Sequence, residues 1–204
     1  PTAMPGIMAE YLADYPDTRL SLQTFSSRKI RDWVAEGQFD VGVIERQDDL
    51  NDLDARHLSL RMHLAVPRHS PLAGLAQVEA ADLDGKALVT LDEHHQSTLK
   101  LKQALRQAGA DWQIAAETHL FPSAISLVNA GIGHALVDPV SAWSFLMRRD
   151  CAVAILPFVP AIDLDIAVIP SRFHTSSRQC QRFLPYLEKG LDTWHRRALS
   201  PLSP

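Results

Sequence analysis

The stretch "LVNAGIGHALVDPVSA", residues 127–142, constrains the fold more than any other part of the sequence. Ile125, Leu127 and Val128 have the apolar spacing of a helix face. Asn129-Ala130-Gly131 then reads as a helix end, because glycine tolerates the positive φ that such an end requires. His134 to Val137 is an apolar run too short for a helix and suited to a buried strand. Asp138 can cap the next helix through its carboxylate, with Pro139 at the first helical position. A helix, a buried strand and a capped helix in so short a span is the grammar of an α/β sheet. In such sheets ligands gather at the turns after the strands.

The same grammar recurs along the chain. Met4 to Tyr15 offers a helix face of Ile7, Met8, Tyr11 and Leu12, and "TRLSLQTF" alternates like a strand. Ser26-Ser27 opens a helix carrying Ile30, Trp33 and Val34 and closed by Gly37, and "FDVGVIE" is a second short strand. This order predicts a parallel sheet. "LSLRMHLAVP" reads as one longer strand, and "RHSPLAGL" as a turn. "ALVTLD", "WQIAAET", "CAVAILPF" and "LDIAVIPS" read as strands, "LKLKQALRQAG" as a helix stopped by Gly109, and 177–197 mostly as a final helix. The tail "ALSPLSP" is expected to fray. Two α/β halves follow, with the chain passing from one to the other near 64–70 and back near 160–166.

Composition narrows the classes of function. The 204 residues carry a net charge of −4 and no long Lys/Arg run, so the chain alone is a poor DNA binder. No apolar stretch has membrane-spanning length, and no leader pattern opens the sequence. Cys151 and Cys180 are too far apart for a zinc pattern, and two reduced thiols suit a cytoplasmic protein.

Most chemical motifs fail on inspection. "GIGHAL" lacks the third glycine of a dinucleotide fingerprint and leads into a strand instead of a helix, so no pyrophosphate would rest on a helix N-terminus there. There is no Gly-x-Ser-x-Gly elbow and no phosphate-cradling loop. His94-His95 should point to opposite faces, and His119 and His134 lack partner spacing, so neither a metal site nor a cofactor is expected. The acidic pairs Asp48-Asp49 and Asp163/Asp165 fit a solvated face better than acid–base catalysis.

What remains is a set of polar turns that start helices: Ser26-Ser27, Gln96-Ser97-Thr98, and His119 to Ser123 with Phe121 as an apolar wall. Plain N-capping accounts for each one alone. Taken together, free N–H groups at several helix starts would suit a carboxylate.

These residues resemble the effector-binding domain of LysR-type transcriptional regulators. The resemblance rests on "MPGIMAEYLADYPDTRLSL", "WVAEGQFDVGVIE", "HLAVPRHSPLA" and "LVNAGIGHALVDPVSA", and spans roughly residues 1–190. It implies an α/β fold of two Rossmann-like subdomains joined by two crossing strands, like a type 2 periplasmic binding protein. Residues 1–65 and 164–192 would form subdomain I, 66–163 subdomain II, and 193–204 a C-terminal tail. It implies an effector in the cleft between the subdomains. On that view Ser26, Ser27, Gln96, Ser97, Thr98, His119, Phe121 and Asp138 are the candidate effector-binding residues, with no catalytic residue among them.

It also implies a homodimer or tetramer, a cytoplasmic location, and DNA contact only through a helix-turn-helix domain that has no counterpart in these residues. The family's first strand and its ligand-facing loop are likewise expected to lie outside them. The wording of "GIGHALVDPVSA" is closest to members that sense amino acids or opines. The alternatives are a free-standing periplasmic solute-binding protein and, third, an enzyme.

Overall fold

The computed structural model describes residues 2–46, 56–173 and 177–198. Asp48-Asp49 and most of the expected tail, residues 199–204, lie outside the described residues. In chain order the elements are α1 (Met4–Asp14), α2 (Ser27–Ala35), β1 (Val41–Glu45), β2 (Arg56–Arg61), β3 (His63–Pro67) and β4 (Val78–Glu79). There follow β5 (Lys86–Leu91), α3 (Gln96–Ala108), β6 (Trp112–Thr118), α4 (Phe121–Asn129), β7 (Ala135–Val137) and α5 (Pro139–Leu146). The chain closes with β8 (Val153–Val159), β9 (Asp163–Pro170) and α6 (Arg178–Ala198). It divides into two compact units, one formed by Pro1–Ser59 with Asp165–Arg197, the other containing Leu60–Leu164. The chain therefore changes unit within β2 and again within β9.

Unit one is built on the sheet β1-β9-β2, with β1 antiparallel to β9 from Val41↔Pro170 to Glu45↔Ile166. Side chains alternate across a strand, and β9 divides accordingly. Val168 packs with Ile7, Leu58, Leu187 and Leu191. Its neighbours Ala167 and Ile169 pack with Val34 and Ile44 on the other side. Tyr11, 1% exposed, is held edge-on by Phe183 and Tyr186.

Two expectations are corrected here. Residues 18–25 form no strand, and β1 pairs antiparallel with β9, so the expected parallel pairing of 18–25 with β1 does not occur. Alternation supplies a face that could lie on a sheet, but a strand also needs a hydrogen-bonded neighbour. Here no strand pairs with 18–25, and Leu22 and Phe25 are each left 40% exposed. The run at 58–67 is likewise two strands. It breaks at Met62, whose N–H donates to the Ile162 carbonyl at 2.9 Å. The final helix, for its part, continues to Ala198, past residue 193.

Unit two carries the order β4-β8-β3-β7 and the pair β5-β6. β5 and β6 are parallel, β4 is parallel to β8, and β3 is antiparallel to both β7 and β8. A parallel bridge between Leu88 and His134 brings β5 beside β7. Ala65, Val89, Ala135, Val137 and Ile155 form a core with Ile125 and Val128 of α4 and Phe145 of α5.

The glycines of the opening stretch serve this bridge. Gly131 turns the chain after α4 with φ +81°, and a Cβ on Gly133 would stand 2.6 Å from the Ala87 carbonyl oxygen. That closeness lets the His134 N–H donate to Ala87 and the Val89 N–H donate to the His134 carbonyl.

Candidate functional site

In unit two, β5, β6 and β7 run in one direction, and α3, α4 and α5 each begin just after one of them. The three helix N-termini thus lie at the same end of the sheet, where unpaired N–H groups concentrate.

The residues at that end use their polar atoms differently. His95 is the N-cap of α3: its Nδ1 accepts from the Ser97 N–H at 3.2 Å and lies 2.8 Å from Ser97 Oγ. Burial pushes the His95 imidazole down to about 4, so the ring is neutral near neutral pH and Nδ1 serves as an acceptor. The Thr98 hydroxyl donates to the Leu91 carbonyl at 3.2 Å, tying α3 to the end of β5, and Ser97 and Thr98 are both buried. Gln96 is exposed. The ring of Phe121, the first residue of α4, meets the His95 ring edge-on with centroids 5.5 Å apart, which joins two of the predicted turns. His119 stands exposed just before it.

Asp138 sits where the sequence placed it. One carboxylate oxygen accepts from the Val140 and Ser141 N–H groups at 3.0 and 2.9 Å. The group is 7% exposed, and burial pushes its carboxyl upward against those hydrogen bonds. Asp138 is therefore a cap in this structure.

In unit one, Ser26 is the N-cap of α2, is exposed, and makes no side-chain cap bond. Ser27 holds a different contact: its Oγ accepts from the Glu45 N–H at 3.0 Å, fixing the start of α2 to the end of β1. Local patterning cannot show that bond, since its partner is the backbone of a residue on another element. His95 was also missed as a cap, because histidine is not among the favoured capping residues.

Among the described residues no group of His, Cys, Asp and Glu could hold a metal ion, and no helix is long and apolar enough to cross a membrane. His134, buried by β5, has Nδ1 3.2 Å from the Ala87 carbonyl and Nε2 3.4 Å from Ser70 Oγ.

Residues 1–192 match the LysR substrate binding domain. The chain belongs to that family. It is 24% identical over 189 residues to the transcriptional activator protein LysR of Escherichia coli, covering 92% of this chain and 60% of the relative. It is 25% identical over 186 residues to the octopine catabolism/uptake operon regulatory protein OccR of Rhizobium meliloti, covering 90% and 61%. The chain therefore spans about three fifths of the length of these curated relatives. Among solved structures, the regulatory domain of Synechocystis CcmR in complex with 2-PG superposes with a TM-score of 0.74 at 18% identity, covering 92% of each chain. That likeness shows the fold: two lobes like those of a type 2 periplasmic binding protein, as the resemblance in the sequence implied.

Proposed function

We propose that this LysR substrate binding domain is the sensing part of a longer cytoplasmic transcriptional regulator. Its effector is a small carboxylate, an amino acid or opine-like compound. The observation that carries this reading is the gathering of three helix N-termini at one end of the unit-two sheet. The positive ends of three helix dipoles there suit an anionic oxygen, and Phe121 offers an apolar surface beside them. The Ser97, Val140 and Ser141 N–H groups are themselves taken up by His95 and Asp138. In unit one, Ser26 and Ser27 open α2 and supply the hydroxyl groups of the proposal. Gln96, Ser97, Thr98 and His119 complete the set in unit two, with Asp138 holding the start of α5.

No catalytic step is assigned to the chain. Its role is to shift the geometry of a DNA-bound homo-oligomer, a response of the hinge or rotation kind. DNA contact belongs to a helix-turn-helix outside these residues, and a self-complementary two-fold pairing of subunits gives a dimer as the smallest closed form.

Footprinting of the full-length regulator on its own promoter, with and without octopine, 2-PG and the twenty amino acids, tests this reading. A protected region that changes in extent with one compound supports it. A full-length product that carries a secretion leader and protects no DNA would instead identify the solute-binding alternative.

A further inference from the structure

The end of the unit-two sheet where α3, α4 and α5 begin holds a buried polar atom that the fold leaves unused. β3 runs antiparallel to β7, so its first residue, His63, lies at that end, opposite Val137 and next to the turn that carries Asp138. Directly opposed residues of an antiparallel pair share a face. His63 therefore lies on the face of Val137 and Ala65, whose side chains pack with α4 and α5. It is 7% exposed, and its Nδ1 has no hydrogen-bond partner. A buried polar atom without a partner is uncommon in folded proteins and calls for an explanation. Val137 and Ala65 would accept an apolar residue at this position, so packing gives no reason for an imidazole. Thr90 Oγ1 is also buried without a partner, but Thr90 precedes Leu91, a member of the same core, and so faces the opposite side of the sheet.

We propose that His63 is a ligand-contacting residue whose Nδ1–H donates to a carboxylate or carbonyl oxygen of the effector. The inference rests on the sensing role proposed above and adds a residue to it. Burial pushes the His63 imidazole down, against a hydrogen bond to the Arg61 backbone and with help from the Arg61 charge, which favours a neutral ring suited to a directed hydrogen bond instead of an ion pair. The adjacent α5 N-terminus has its Val140 and Ser141 N–H groups occupied by Asp138. Beside the ring's contact with the Arg61 backbone, His63 keeps Nδ1 without a partner at this position.

The test is calorimetric titration of the chain with octopine, 2-PG and the twenty amino acids, alongside a melting curve, for the wild type and for His63→Leu, His63→Asn and His63→Gln. His63→Leu should melt no lower than the wild type and lose tenfold or more in affinity for the compound that binds. Asparagine places its amide nitrogen near Nδ1 and glutamine places its own near Nε2, so Asn should recover more of the affinity than Gln. Wild-type affinity in His63→Leu would overturn the inference and leave the sensing role standing. If His63→Leu does not fold, equal losses in Asn and Gln would overturn it. A panel in which nothing binds the wild type would overturn the carboxylate reading and this inference with it.

Discussion

The His95 ring meets the Phe121 ring edge-on, with centroids 5.5 Å apart, and so links the first turn of α3 to the first turn of α4. Edge-to-face contact orients the imidazole. The Ser97 N–H, donating to Nδ1, leaves the proton of the neutral ring on Nε2. The cap of α3 and the apolar wall of the candidate site are thus in direct contact.

This arrangement predicts a pH dependence. The folded chain holds His95 near 4, below the ordinary 6.5. Between those values the unfolded chain binds a proton that the folded chain refuses, so stability is full above about 6.5 and falls as pH drops toward 4. His95 is only partly shielded from solvent, which reduces the effect to about 1 kcal/mol by pH 5. Asp138, pushed up by burial, works in the opposite sense, gaining stability as pH falls through its own titration. Denaturant melts at pH 7 and pH 5 should therefore compare the wild type with His95→Asn, which keeps a capping oxygen. The variant should lose less stability on acidification, and equal losses would refute the His95 assignment.

Replacing Asp138 tests the cap directly. Asp138→Ala leaves the Val140 and Ser141 N–H groups without their acceptor and should cost about 1–2 kcal/mol. In a domain of this size that corresponds to a drop in Tm of roughly 2–4 °C per kcal/mol. Asp138→Asn keeps an oxygen in place and should retain most of the stability. Thermal melts of the two variants separate these outcomes.

Gly133→Ala should also destabilise. The added Cβ would stand 2.6 Å from the Ala87 carbonyl oxygen, so β5 and the residue before β7 must move apart. Overpacking of this kind costs about 1–3 kcal/mol. The two hydrogen bonds between His134 and the backbone of Ala87 and Val89 would be strained, and faster exchange of their amide protons is the matching local signal.

The chain described here should not select a DNA sequence. Its net charge of −4 opposes the phosphate backbone. A gel shift at low salt should show no sequence-selective retention, and selective retention would mean that a recognition surface lies within these residues.

Much of unit two is legible in the sequence because its elements announce themselves locally. β7 is a short apolar run between a glycine-ended helix and an Asp-Pro cap, and each of those signals acts within a few residues. Unit one is harder to read. The alternation at 18–25 depends on a partner strand that no local pattern specifies, and the antiparallel pairing of β1 with β9 joins distant parts of the chain. The candidate site divides in the same way. Ser27 is visible as a helix start, but its bond to the Glu45 N–H is tertiary. His63 stands inside an apolar run in "LSLRMHLAVP", a pattern that could have marked it as a buried polar residue.

The most direct test of the sensing role is calorimetric titration of the chain with octopine, 2-PG and the twenty amino acids, repeated on Ser27→Ala together with a melting curve. The wild type should bind one carboxylate saturably, and the variant should bind it roughly tenfold or more weakly, about 1.4 kcal/mol. Loss of the acceptor for the Glu45 N–H should cost about 1 kcal/mol of stability. A lowered Tm with unchanged affinity would make Ser27 a structural tie alone, and absence of binding by the wild type across the panel would contradict the account.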